Sequence, residues 1–192
     1  MTDQNEPNPA IFQTLDKCDP SPYTRSEYKR RFLWSVVQAT LFRVPLMRAF
    51  RWRNYLLRLF GAQLAKNCNV HFRAKVVHPW LLEMGEWSNI GPNAIVYNMG
   101  QVTIGSHSVV SQDVYICAGT HDYTKPTLPL QRLPIRIGNG VWIAAGAFIG
   151  PGSVVGDNSV IGARAVVVGE VPPGVVSAGN PARPIAPRPT SS

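Results

Sequence analysis

From Ile137 to Pro172 the chain counts in sixes. The blocks read Ile137-Gly-Asn-Gly-Val-Trp, Ile143-Ala-Ala-Gly-Ala-Phe and Ile149-Gly-Pro-Gly-Ser-Val, then continue from Val155, Ile161 and Val167. An aliphatic residue opens each block, a small residue mostly follows it, and a small or β-branched residue stands four places on. Six is the period of neither a helix nor a plain strand. It is the period of a chain that turns a corner every six residues, so that three blocks close one triangular coil of a parallel β-helix. The opening Ile or Val points into the prism, and only stacking of successive coils can bury it.

The same register runs backwards through Ile104, Val110 and Ile116, through Met84, Ile90 and Val96, and through Leu64, Val70 and Val76. The steps from Val76 to Met84 and from Val96 to Ile104 are eight, which places a two-residue insertion at one corner of each coil. The step from Ile116 to Ile137 is twenty-one and hides a loop at 122–136. The expected architecture is therefore an all-β core of about five coils, 64–83, 84–103, 104–136, 137–154 and 155–172, within a β-helix domain spanning 62–172. A β-sandwich would place its turns every 8–12 residues and does not fit.

Residues 1–22, with four prolines, read as an extended arm, and the polar start lacks the pattern of a signal peptide. Residues 23–61 hold the helical signal. Thr24 and Glu27 form a capping box, and Phe32, Leu33, Val36, Val37, Thr40 and Leu41 follow helical spacing. Pro45 interrupts the run, and a second segment, Met47 to Phe60, carries Trp52, Tyr55, Leu56, Leu59 and Phe60 on one side before Gly61. Residues 173–192 form a C-terminal tail, expected to be unstructured after Arg183. The cysteines, Cys18, Cys68 and Cys117, are far apart and read as reduced thiols.

The chain carries a net charge of +8, and ten of its 19 Lys and Arg fall between Arg25 and Lys66, facing only Glu27. Two readings stay open for this basic amphipathic segment. It caps the open end of the β-helix with a solvated basic face, or it also touches an anionic membrane surface. No apolar run is long enough to span a bilayer. No recognition motif accompanies the charge, which argues against nucleic acid.

The regular pattern stops at Gly119-Thr-His121-Asp122-Tyr123, where the long loop leaves the rigid solenoid, and such loops carry sites. His121 ends the last regular block, and imidazole is the side chain that exchanges protons near neutrality. It is the candidate general base. The other histidines, His71, His78 and His107, do not have the spacing of a β-helix zinc site, so no metal is expected.

Leu82-Glu-Met-Gly, Tyr97-Asn-Met-Gly, Ser111-Gln-Asp, Gly119-Thr-His-Asp-Tyr, Gly140-Val-Trp-Ile and Val176-Ser-Ala-Gly-Asn-Pro-Ala-Arg together carry a resemblance. The chain resembles the hexapeptide-repeat acyltransferases, the maltose and galactoside O-acetyltransferase class, and within it the colanic acid biosynthesis acetyltransferases. That resemblance implies a left-handed β-helix and a cytoplasmic homotrimer with sites between subunits. It implies acetyl-CoA as co-substrate and direct transfer to a sugar hydroxyl in exopolysaccharide biosynthesis, with His121 as base. By position, Asn98, Asp122 and Trp142 would meet the carbohydrate acceptor. Ala145, Ala163, Arg164 and Arg183 would meet the cofactor. For Asn98, corner-turn chemistry is the competing role, and for Trp142 it is packing on the prism edge. Two positions depart from the family pattern: Ala144 stands where Gly is usual, and Val168-Gly169 where Thr-Lys is common. An amino-sugar N-acetyltransferase and a catalytically silent β-helix scaffold are the alternative functions. A basic arm would suit an acceptor at the inner face of the cytoplasmic membrane.

Overall fold

The computed structural model describes residues 12–17, 23–44 and 49–189. Its body is a parallel β-solenoid of short strands. The first coil is β1 (Gln63–Leu64), β2 (Asn69–Val70) and β3 (Lys75–Val76), and the second is β4 (Leu82–Met84), β5 (Asn89–Ile90) and β6 (Ile95–Tyr97). The third is β7 (Val102–Ile104), β8 (Val109–Val110) and β9 (Tyr115–Cys117). A hairpin follows, β10 (Gly119–His121) and β11 (Leu130–Arg132). The fourth coil is β12 (Ile135–Ile137), β13 (Trp142–Ile143) and β14 (Phe148–Ile149). The fifth is β15 (Val154–Val155), β16 (Val160–Ile161) and β17 (Val166–Val167). Strands stack in parallel into three faces: face A is β1-β4-β7-β12-β15, face B is β2-β5-β8-β13-β16, and face C is β3-β6-β9-β14-β17. The architecture is that of a left-handed parallel β-helix.

All fifteen inward positions read from the hexad register are buried, from Leu64 at 8% exposure to Val70, Ile116 and Ile161 at 0%. Each contributes roughly 1.5–3 kcal/mol of apolar burial, and they form the repeating part of a core that also takes in Leu82, Val102, Val114 and Ile135 and, from the cap, Trp34, Phe42 and Leu57. The corners have their own rule. Three residues past an inward side chain the backbone turns to positive φ, as at Asn93 (57°), His107 (57°), Asp113 (58°) and Gly140 (64°), and Asn, Asp and Gly tolerate that region best. The small residue that directly follows an inward one answers to a different constraint. A Cβ on Gly105 would lie 2.5 Å from the Gly138 backbone of the next coil.

The solenoid runs further than five coils. The chain steps only four residues from Val167 to the next inward position, Val171, so the six-residue count misses that turn. There β18 (Glu170–Val171) joins face A and β19 (Val175–Gly179) joins face B, two sides of a sixth turn. The tail after Arg183, expected to be unstructured, is instead a strand, β20 (Ala182–Pro187), antiparallel to β19. Its prolines are accommodated because it is an edge strand. Arg188 then donates to the Gly140 carbonyl at 2.6 Å.

The opposite end is closed by helices. Thr24 and Glu27 form the expected capping box, with Glu27 N–H donating to Thr24 Oγ1 at 3.2 Å and Thr24 N–H to Glu27 Oε2 at 2.7 Å. Helix α1 (Arg25–Ala39) leads to a single 3₁₀ turn at Leu41–Arg43, and α2 (Phe50–Leu59) ends before Gly61. In the N-terminal arm Leu15–Lys17 is a 3₁₀ turn. The Pro45 break, Met47, Cys18 and residues 1–11 and 18–22 of the arm lie outside the described residues.

The orientation of this cap differs from a simple amphipathic packing. Each coil's amides donate to carbonyls of the next coil, as Gly85 N–H does to Ile104 and His71 N–H to Ile90. The first coil therefore presents carbonyls with no preceding coil to bond them. Side chains of the helices fill that role. Arg58 donates to Leu64 O, Asn54 to Cys68 O and Arg53 to Val70 O, while Trp34 and Gln38 both donate to Val76 O. Consequently Arg53 and Gln38 are buried, and Phe32, Leu33, Val36, Trp52, Tyr55 and Leu59 face outward.

Candidate active site

The hairpin β10–β11 is inserted where the chain turns from face C to face A. Its three pairs are Gly119 with Arg132, Thr120 with Gln131 and His121 with Leu130. His121 closes β10 with its ring exposed, and Nδ1 lies 2.6 Å from the carbonyl oxygen of Leu128. A carbonyl only accepts, so Nδ1 carries the proton and Nε2 of the neutral ring keeps its lone pair, free to accept another. Leu128 reaches this position with φ of 46°, a left-handed conformation that a branched side chain rarely adopts, and such strain gathers at functional positions. The group that orients the candidate base is thus a main-chain carbonyl, which no motif in the sequence marks.

Asp122 takes a different part. Its Oδ1 accepts from Thr124 N–H at 3.1 Å and from the Thr124 hydroxyl at 2.5 Å, and Lys125 Nζ lies 3.8 Å from Oδ2. The Thr124 hydroxyl above all, then the Thr124 amide and Lys125, hold this carboxyl below its ordinary range. Asp122 shapes the turn, and among the described residues no hydrogen bond joins it to His121.

The base of the hairpin is tied to the cap. The Arg132 guanidinium stands 4.8 Å from the Tyr23 ring centre and 4.0 Å from Glu27 Oε1, and the Tyr23 hydroxyl donates to Met99 Sδ at 3.1 Å. Thr14 N–H donates to the Pro126 carbonyl at 3.0 Å, so the N-terminal segment also touches the loop.

Asn98 is fully buried. Its Oδ1 accepts from His78 N–H at 2.9 Å and its Nδ2 donates to the His78 carbonyl at 2.5 Å. Both ends of the amide are engaged between coils, which fits the corner role weighed for it.

The remaining candidates gather on another edge, where face B turns into face C. Trp142 lies on face B, about half exposed, and its Nε1 donates to Ser111 Oγ at the corner above, at 3.0 Å. Ala145 accepts from Arg164 N–H at 2.9 Å, and Arg164 takes a positive φ of 58°. Gly162, beside Ala163, donates to Ser177, and the following Ala178 pairs with Arg183 across β19–β20. Half-buried Ala145 and the exposed Ala163, Arg164 and Arg183 therefore form one track down the B–C edge. Ala144, at the departure from the family pattern, is buried and still donates normally to Ile161. Face C separates this track from the His121 hairpin within one chain.

A triangular solenoid of hexads with a histidine-ended hairpin on one corner defines a hexapeptide-repeat β-helix protein. The bacterial transferase hexapeptide model (six repeats) matches residues 134–169. A chain named for colanic acid biosynthesis, the acetyltransferase WcaF of Escherichia coli (strain K12), is 42% identical over 150 residues, covering 78% of this chain and 82% of its own. This protein belongs to the hexapeptide-repeat acetyltransferase family. Among solved structures, a maltose O-acetyltransferase from Clostridium difficile 630 superposes with a TM-score of 0.76 at 28% identity, covering 87% of this chain and 90% of its own. A galactoside acetyltransferase in complex with coenzyme A gives 0.79 at 26% identity, covering 88% and 86%.

Proposed function

We propose that this acetyltransferase moves an acetyl group from acetyl-CoA directly to a carbohydrate hydroxyl, with His121 as general base. The observation that carries this reading is the exposed His121 ring with Nδ1 held by the Leu128 carbonyl, which leaves Nε2 free to accept a hydroxyl proton. As Nε2 takes that proton, the acceptor oxygen attacks the thioester carbonyl carbon. The C–S bond then breaks, and the departing thiolate receives the proton. A thioester is already activated, so an acyl-enzyme is not needed and positioning supplies much of the rate. Backbone amides at the solenoid edge would meet the developing oxyanion.

The track of Ala145, Ala163, Arg164 and Arg183 is the proposed path of CoA, with small side chains allowing close approach and the guanidinium groups suited to phosphate. Asp122 and Trp142 would line the acceptor side. Asn98 would act by holding the wall beneath it. The relatives' names, colanic acid biosynthesis, maltose and galactoside acetyltransferases, support a sugar acceptor; exopolysaccharide biosynthesis in the cytoplasm is the proposed setting. Because base and track lie on different edges of one prism, the working site would form between subunits of a homotrimer.

His121→Ala is expected to lower kcat by about 10²–10⁴-fold with little change in CoA affinity. Arg183→Ala should instead raise the KM for acetyl-CoA. Steady-state kinetics with a sugar acceptor and direct CoA titration separate the two. Wild-type turnover in His121→Ala would reject the base assignment.

A further inference from the structure

The cap turns an apolar surface away from the solenoid. On α2, Arg53 and Asn54 face the first coil through their bonds to Val70 and Cys68. The opposite side of the helix carries Trp52, Tyr55 and Leu59, which are 41%, 56% and 64% exposed. On α1, Trp34 and Gln38 fix the coil-facing side, and Val36 points away from it. Leu41 joins the two helices. Trp52 Nε1 donates to its carbonyl at 3.1 Å, and the Trp52 and Tyr55 rings stack with centres 5.9 Å apart.

Cations border this surface. Arg43 and Arg51 are exposed and have no acidic partner among the described residues. Between residues 23 and 66 the sole acid is Glu27, and it is engaged with Thr24 and Arg132. A water-facing helix pair normally presents its charges outward and its apolar stripe to the core. Here the open coil end draws the polar donors inward, and the apolar residues are left on the outside with a rim of one charge sign. A protein surface with mixed charge is a poor match for that rim. An anionic lipid surface matches both parts, because Trp and Tyr sit well at the headgroup boundary and each nearby cation adds attraction. The surface also lies at the solenoid's end, away from the side faces on which copies of the chain would associate.

We propose that α2, Leu41 and the C-terminal half of α1 form an end-on docking surface for an anionic phospholipid bilayer. The docking does not depend on the role assigned to His121.

The test is sedimentation of the full chain with phosphatidylglycerol or phosphatidylcholine vesicles at low and high salt. Retention is expected on phosphatidylglycerol alone, and it should weaken at high salt because exposed attraction is screened. Arg43→Gln/Arg51→Gln should bind about thirty-fold more weakly, roughly five-fold for each cation removed. Tyr55→Ser/Leu59→Ser should lose retention while its circular dichroism stays that of the wild type. His121→Ala should sediment as the wild type does, which separates docking from catalysis. A full chain left in the supernatant with phosphatidylglycerol at low salt overturns the proposal, as does unchanged binding by the Arg43/Arg51 variant. A smaller assembly in the Tyr55/Leu59 variant with unaltered vesicle binding overturns it too, and points to a second copy on this face.

Discussion

His78 gives the fold a pH response. It is 1% exposed, and its Nδ1 lies 2.9 Å from the Asn98 carbonyl. Its Nε2 has no partner among the described residues. Burial pushes its pKa down, the Asn98 hydrogen bond resists this, and Arg31 and Arg132 add to the depression while Glu27 opposes it. Tyr23 and Trp80 complete its surroundings, with ring centres 5.8 and 5.0 Å away. The unfolded chain binds a proton at an ordinary histidine pKa of about 6.5, which the folded site refuses. Stability is therefore present above that value and lost as pH falls below it. His71, whose pKa burial also lowers, adds a second contribution of the same sign. Urea midpoints at successive pH values should drop between neutral and mildly acidic pH, and His78→Gln should flatten that drop relative to the wild type. An identical pH slope in the variant would refute the assignment. The twenty-residue stacking of His78 on Asn98 follows from the coil length and is legible in the sequence. The burial that removes both from the cleft is not, because it depends on Tyr23 and α1 packing over the corner.

At the scale of elements, periodic parts were readable and ends were not. The hexad register located all fifteen inward side chains, since every coil repeats the same environment. The first coil breaks that repetition. Its Leu64, Val70 and Val76 carbonyls have no coil above them, and this end effect turns Arg53, Arg58 and Gln38 into structural donors. Read along the chain, the two arginines look like part of a solvated basic face, and Gln38 carries no signal at all. The same holds at the other end, where Val171 and β20 continue a fold whose spacing has already failed. Arg53 is 1% exposed, and burial lowers its pKa. Arg53→Met keeps much of the volume but leaves the Val70 carbonyl buried and without the Arg53 donor. The expected cost is about 2–3 kcal/mol, the usual range for losing a charged hydrogen-bond partner in a buried place. The measurement is the urea midpoint, with an unchanged denaturant slope. A variant as stable as the wild type would mean that water or a neighbouring side chain takes over the donor's role.

The three faces of the whole molecule differ in what they offer a neighbour. Outward residues on face A run Gln63, Glu83, Thr103, Arg136, Val154 and Glu170, a largely polar ladder. Face B ends in Val109, Trp142, Val160 and Val176, and face C carries Ile95, Tyr115, Phe148 and Val166, with Tyr115 and Phe148 stacked at 5.8 Å. A heterologous contact of face A of one copy against face B of the next, closed around a three-fold axis, covers the apolar end of face B. That closure would set the C–A edge of one subunit, with its His121 hairpin, beside the B–C track of the next. Light scattering should give three times the 21.1 kDa of one chain, and Val160→Glu, on face B, should reduce it to one. Mixing tests the shared site directly. His121→Ala lacks the base, and Ala163→Trp obstructs the proposed CoA track, so each alone is inactive. When equal amounts are unfolded together and refolded, random closed trimers place an intact hairpin against an intact track in roughly a quarter of their sites. Recovery near that fraction of wild-type activity is the expected result. A mixture as inactive as its components would show that base and track must belong to one chain, and the site would then have to bridge face C.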